Sequence, residues 1–129
     1  MLETRGPIQA PASVVWRLLT DTNEWPHWGP SVRTVDYPAR LIGPDTRGRV
    51  QTAVGLWLPF QITDWEPEQF WGWTVARVTA TGHRVIPVDA STCEIIFTVP
   101  AWAPFYLPVC KTAIRRLNRL ATNQPETHG

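Results

Sequence analysis

Residues 8–28 read IQAPASVVWRLLTDTNEWPHW, and Gly29-Pro30 follows. Val14, Val15, Leu18 and Leu19 recur at the spacing of one helical face, and Pro11 suits a first helical turn. Asp21 and Asn23 are residue types that end or cap helices. Trp25 to Trp28 leaves room for one further turn before Gly29-Pro30 stops it. The stretch therefore predicts two short helices in succession. The eleven residues from Thr20 to Pro30 hold two tryptophans, two prolines, a histidine and a glycine. That is too many breakers for a long helix and too much aromatic surface for a solvated loop, so the segment must cover something apolar.

Outward from this stretch the periodicity changes. Leu2 to Gln9 reads as a first strand. After Pro30 the pattern becomes two-fold, although Ser31 to Tyr37 alternates imperfectly. Arg47 to Val54 alternates through Val50, Thr52 and Val54, and Pro59 to Trp65 places Phe60 and Ile62 on one face. Phe70 to Thr79 is dominated by aromatics, valines and threonines. His83 to Val88 and Thr92 to Val99 follow, with turns expected at Gly82 and at Asp89-Ala90-Ser91. Trp57, Leu58, Pro59 and Phe60 read as an apolar turn between the third and fourth strands. From Pro104 the 3.6 period returns. Tyr106, Cys110, Ala113, Ile114, Leu117 and Ala121 share one face, and Lys111, Arg115 and Arg119 share another. One domain over 1–122 and a frayed tail over 123–129 are expected.

With 129 residues, 43% of them hydrophobic and 18% charged, the chain can bury a sizeable core without staples. A net charge of +1 gives no push toward nucleic acid. Cys93 and Cys110 lack metal-ligand spacing and lie in apolar segments, so both are expected to be buried free thiols. No metal and no cofactor is called for. The N-terminus shows no apolar leader, which makes the cytoplasm the expected location. The apolar run Ile95 to Cys110 is shorter than the roughly 20 residues of a spanning helix, and prolines interrupt it. It does not cross a membrane; touching one and lining a pocket mouth both remain open.

A curved antiparallel sheet needs cover on its inner face, and the C-terminal helix is the only element long enough. The fold class is therefore α+β, with about seven strands wrapped around that helix. This arrangement resembles the START-like, or SRPBCC, helix-grip superfamily, which includes polyketide cyclase/dehydrase-like proteins. The residues that carry the resemblance are Ala10, Pro11, Val15, Trp16, Leu18, Asp21, Trp25, Pro26 and Trp28, with Gly82-His83, Val85 and Pro87 downstream. The resemblance implies a ligand cavity between sheet and helix, closed at one end by the two short helices.

Expected ligand-contacting residues are Trp25, Trp28, Trp57, Phe60, Trp73, His83, Tyr106, Cys110 and Ile114. His83 and Arg84 are strand neighbours, so one of them faces the cavity. An inward His83 is a weak candidate for a general base or for polarising a carbonyl. His27, and Asp64, Glu66 and Glu68 around a turn, read as solvated. The basic side of the last helix reads as a solvated face, with anionic headgroups as the minority alternative. The chain has no G-x-S-x-G and no glycine-rich phosphate loop. Ser13 and Ser31 read as capping and turn residues. Binding of a hydrophobic small molecule (a lipid, polyketide or isoprenoid-like compound) ranks first. A cyclase or dehydratase using the same cavity ranks second. An interaction protein with a filled core, including a homodimer in place of a monomer, ranks third.

Overall fold

The structure is a computed structural model that describes residues 1–123. Strand β1 (Leu2–Ile8) leads through Pro11 into helix α1 (Ala12–Thr20), and the single turn α2 (Trp25–Trp28) follows. A helix leaves its last four carbonyls without intrahelical donors. Here each finds one. Arg17 O accepts from the Asp21 amide at 3.0 Å and Thr20 O from the Ile42 amide at 3.0 Å. Leu19 O accepts from the Trp25 indole at 2.8 Å and Leu18 O from the Trp28 indole at 2.9 Å. The two tryptophans of α2 thus cap α1 while their rings fill the space behind it. Asp21 is buried at the junction. Its carboxylate accepts from the Asn23 amide at 3.0 Å and pairs with the exposed Arg40 at 2.8 Å, which ties the 37–46 loop to the helices.

The remaining strands are β2 (Val32–Asp36), β3 (Arg47–Thr52), β4 (Trp57–Glu66), β5 (Phe70–Val75), β6 (Val78–Pro87) and β7 (Cys93–Val99). With β1 they form one antiparallel sheet in the order β1-β7-β6-β5-β4-β3-β2. Register shifts at Ile62/Asp64 and at Gly72/Thr74 interrupt the longest strands, and such bulges curl a sheet.

Two turns differ from expectation. The β5–β6 turn is Ala76-Arg77, both left-handed at φ 52° and 66°, and not Gly82. This is the twist a two-residue hairpin needs, met here without the usual glycine or asparagine signal. Gly82 lies inside β6 between Gly72 and Thr98. It is glycine for space: a Cβ there would meet the Phe70 ring at 2.9 Å and crowd Thr98 Oγ1. Likewise Trp57 to Phe60 belong to β4, and the apolar turn before them is Ala53–Leu56, where Gly55 takes φ 91°.

A 3₁₀ turn (Pro104–Tyr106) opens helix α3 (Leu107–Thr122). Cys110, Ala113, Ile114, Leu117 and Ala121 are buried along one stripe, while Lys111, Arg115 and Arg119 face water. The helix packs against β1 and both short helices. Ile114 sits over Gly6, where a Cβ would come within 3.1 Å of Ile114 Cγ2. Cys93 and Cys110 are free and buried, and burial pushes their thiols up to about 11 and about 12. The tail expected over 123–129 lies, from residue 124 on, outside the described residues.

Ile114→Asp is expected to lower stability by more than about 3 kcal/mol, because it buries an unpaired charge. Arg115→Asp on the neighbouring exposed face should change it by less than about 1 kcal/mol, and urea titration of both variants checks the helix register. Trp28→Phe leaves the Leu18 carbonyl without its donor and opens a void. A loss of about 2–4 kcal/mol should appear in the same assay.

Candidate functional site

The space enclosed by the sheet divides into two halves, and α3 borders only the one beneath α2: the larger cavity lies beside the connection ahead of α3 and not, as expected, between sheet and helix. The half beneath α2 is filled by aromatic rings. Trp25 stacks on Trp71 at 5.4 Å and meets Phe60 and Trp73 edge-on or tilted at 5.5 and 5.2 Å. Trp71 in turn stacks on the His83 imidazole at 3.9 Å. Trp28 and Phe97 close the cluster against His83. A void of only about 30 Å³ remains here, bounded by α2, His83, Cys110 and Ala113.

The other half is a cavity of about 540 Å³, in the range that holds a small organic ligand. Its walls come from β3 (Val50, Thr52), β5 (Trp73, Val75), β6 (Thr79, Thr81) and the end of β7 (Val99), with Val32 from β2 and Ala103 and Tyr106 ahead of α3. Its mouth is formed by Val54, Val78, Trp102 and Phe105, which are exposed. The walls are almost wholly apolar. Polar groups gather where the cavity meets the filled half: Ser31, Thr81 and Tyr106 line both spaces. The Tyr106 phenol is hydrogen-bonded to the Ser31 hydroxyl. Burial raises the phenol above its ordinary value against the opposing effect of that bond, so it keeps its proton near neutrality.

Thr81 belongs to a chain of hydrogen bonds. The Trp73 indole donates to Thr81 Oγ1 at 3.1 Å, and Thr81 Oγ1 lies 2.9 Å from His83 Nε2. His83 Nδ1 lies 3.1 Å from the Trp71 carbonyl. A carbonyl only accepts, so Nδ1 carries the ring proton and Nε2 accepts from Thr81. The imidazole is 2% exposed, and burial pushes it down to about 3, partly offset by the bond to Trp71. His83 is therefore neutral with both nitrogens engaged. Of the neighbours His83 and Arg84, the histidine faces inward, while Arg84 lies over the Phe70 ring and pairs with Glu66.

The residues expected to contact ligand are distributed as follows. Trp73 and Tyr106 line the large cavity. Trp25, Trp28, His83 and Cys110 border only the small void, because the tryptophans are pinned to α1 and the histidine to the sheet. Phe60 and Ile114 line neither space: one packs on Trp25, the other on β1. Trp57 points outward, 43% exposed, beneath the Arg49 guanidinium at 5.2 Å. Ser31, Thr81 and the small or β-branched wall residues were not singled out by sequence reasoning. For the strand residues the only signal is inward register, which core residues share, and Ser31 lies in the turn before β2.

A buried neutral histidine has a sign in stability. Between about pH 3 and the ordinary imidazole value near 6.5, the unfolded chain binds a proton that the folded chain does not. Stability therefore falls as pH falls below about 6.5. His83→Gln keeps a donor and an acceptor but removes the titration. From about pH 7 to about pH 5 the native protein should lose about 2 kcal/mol more than this variant, measured by urea unfolding at each pH.

No curated protein sequence matches the chain. Several solved structures share its fold. The ZhuI aromatase/cyclase from Streptomyces sp. R1128 is 14% identical over 99% of this chain and 96% of its own, with a TM-score of 0.73. The protein XoxI from Bacillus cereus is 10% identical over 95% of each chain, also at 0.73. Norcoclaurine synthase from Thalictrum flavum, solved with dopamine and hydroxybenzaldehyde, is 10% identical over 98% of this chain and 88% of its own, at 0.63. At such identities the likeness concerns the fold. The sequence itself matches a family model over residues 2–123, and the chain belongs to the polyketide cyclase / dehydrase and lipid transport family.

Proposed function

We propose that the protein binds a predominantly apolar small molecule carrying one hydroxyl or carbonyl group. Its apolar body occupies the large cavity, and its polar end meets Ser31, Thr81 and Tyr106. The observation that supports this reading is the division of the lining: the walls are mostly valines, alanines and aromatics, with hydroxyls at Thr52 and Thr79, while the other three, Ser31, Thr81 and Tyr106, cluster at the inner end. Such a site favours one direction for an amphipathic ligand, since three of its five lining hydroxyl residues converge at the inner end.

Among the lining residues Tyr106 is the only titratable one, and its phenol stays protonated. His83, the acid–base candidate of the sequence, is occupied at both nitrogens and held neutral. This supports binding ahead of proton-transfer catalysis. A cyclase or dehydratase in this cavity would rely on positioning a flexible chain, with the Tyr106 phenol as its proton donor.

The test is native mass spectrometry of the purified protein, followed by tryptophan-fluorescence titration with paired apolar compounds that do and do not carry a hydroxyl. The hydroxylated member of each pair should bind the native protein about ten-fold more tightly. Val75→Trp, which fills the cavity from β5, should abolish binding of both. Tyr106→Phe with Ser31→Ala should erase the preference and leave the apolar member bound. Undiminished binding by Val75→Trp would place the ligand elsewhere and sink the reading.

A further inference from the structure

The mouth of the cavity is built in a way that ligand binding alone does not require. Three separate segments bring large apolar side chains to its rim, pointing into water. The β3–β4 turn contributes Val54 (81% exposed), and Val78 follows the β5–β6 turn (48%). The connection from β7 to α3 contributes Trp102 (64%) and Phe105 (70%). Leu56, in the first of these turns, is exposed as well. Isolated exposed hydrophobics are ordinary; a ring of them around one opening is a contact surface.

The charge around the ring is one-sided. Residues 46–63, 70–88 and 95–122, which contain all three rim segments, hold no aspartate or glutamate. Arg77 occupies the β5–β6 turn and is exposed. The Arg33 guanidinium donates to the Ala53 carbonyl at 2.8 Å, which fixes a second cation beside the β3–β4 turn. Asp36, the acid nearest in sequence on β2, is paired to Arg49 toward the other end of that strand. Glu3, which stands opposite Thr98 on β1, is paired to Arg5 at 2.8 Å. An apolar ring with a cationic margin complements an anionic lipid surface. The apolar side chains suit the acyl boundary, a tryptophan suits the headgroup level, and arginines pair with phosphates. The surface is also uneven, hairpin tips around a hole, which suits a deformable bilayer better than the flat face of a protein. Among the described residues no helix is long and apolar enough to cross a membrane, so this contact is peripheral.

We infer that the protein docks, cavity mouth first, on bilayers containing anionic lipid, so that an apolar ligand passes between membrane and cavity without entering water. The transfer rests on the ligand reading above. The docking does not, and it is measured on protein without added ligand.

Flotation with vesicles of phosphatidylcholine alone and of equal parts phosphatidylcholine and phosphatidylglycerol tests it. The protein should float with the mixed vesicles, and added salt should weaken the association. Trp102→Ser with Phe105→Ser should reduce vesicle affinity by more than about ten-fold while leaving the melting temperature unchanged, since neither side chain is in the core. Arg77→Gln should weaken binding to the mixed vesicles about five-fold. Failure to float with the mixed vesicles overturns the inference, as does a double variant that floats undiminished. A dimer in sedimentation that the double substitution dissolves also overturns it, because the ring would then be a contact between copies. Docking without ligand uptake would defeat the ligand reading alone, and uptake without docking would defeat only this one.

Discussion

The structure depends on how helix α1 ends. It is only nine residues long and would fray alone, because four of its carbonyls have no helical partner. Two backbone amides and two indole N–H groups supply the missing donors. The indoles do two things at once. They satisfy the carbonyls, and they carry rings that reach across the sheet to Trp71, Phe60, His83 and Phe97. One pair of side chains thus fixes the angle between α1 and α2, closes one end of the sheet, and decides which half of the interior is solid. The cavity lies where those rings do not reach.

His83 shows how a polar side chain becomes part of such a solid half. Its ring lies against Trp71, its Nδ1–H is directed to the backbone, and its Nε2 takes the Thr81 hydroxyl. A charged imidazole would need a second acceptor where Thr81 now donates, and would have to be buried without solvent. The chain from Trp73 through Thr81 to His83 therefore has one arrangement, and it locks the inner ends of β5 and β6 together beside the cavity.

The fold was legible because its signals are local. Residues 8–28 announce two short helices, the period changes at Pro30 and again at Pro104, and the stripe from Cys110 to Ala121 is continuous. Turns were less legible where the backbone solved its problem without the usual residue. Ala76-Arg77 takes left-handed geometry with no glycine, while Gly82, the apparent turn signal, answers a crowding constraint set by Phe70 and Thr98 from neighbouring strands. Such constraints are tertiary and leave no local trace. The cavity was least legible for the same reason. Large aromatic residues attract attention in a sequence, yet most of them here fill space, and a cavity is lined by whatever is small enough to leave room. Tyr106 and Trp73 were recognisable as lining types; Ser31, Thr81 and Val75 were not.

The division of the interior has a consequence for how this protein can diverge. The residues that hold the fold together sit under α2, while those that shape the cavity lie on strand ends and hairpins at the opposite end. Changes of side-chain size at positions such as Val75 or Thr79, which line the large cavity alone, alter the shape on offer without touching the helix caps or the stacked rings. Stability and selectivity are thus under nearly separate genetic control. A lineage can drift from one guest molecule to another through folded intermediates, and a protein engineer can vary the cavity combinatorially while keeping the aromatic half constant.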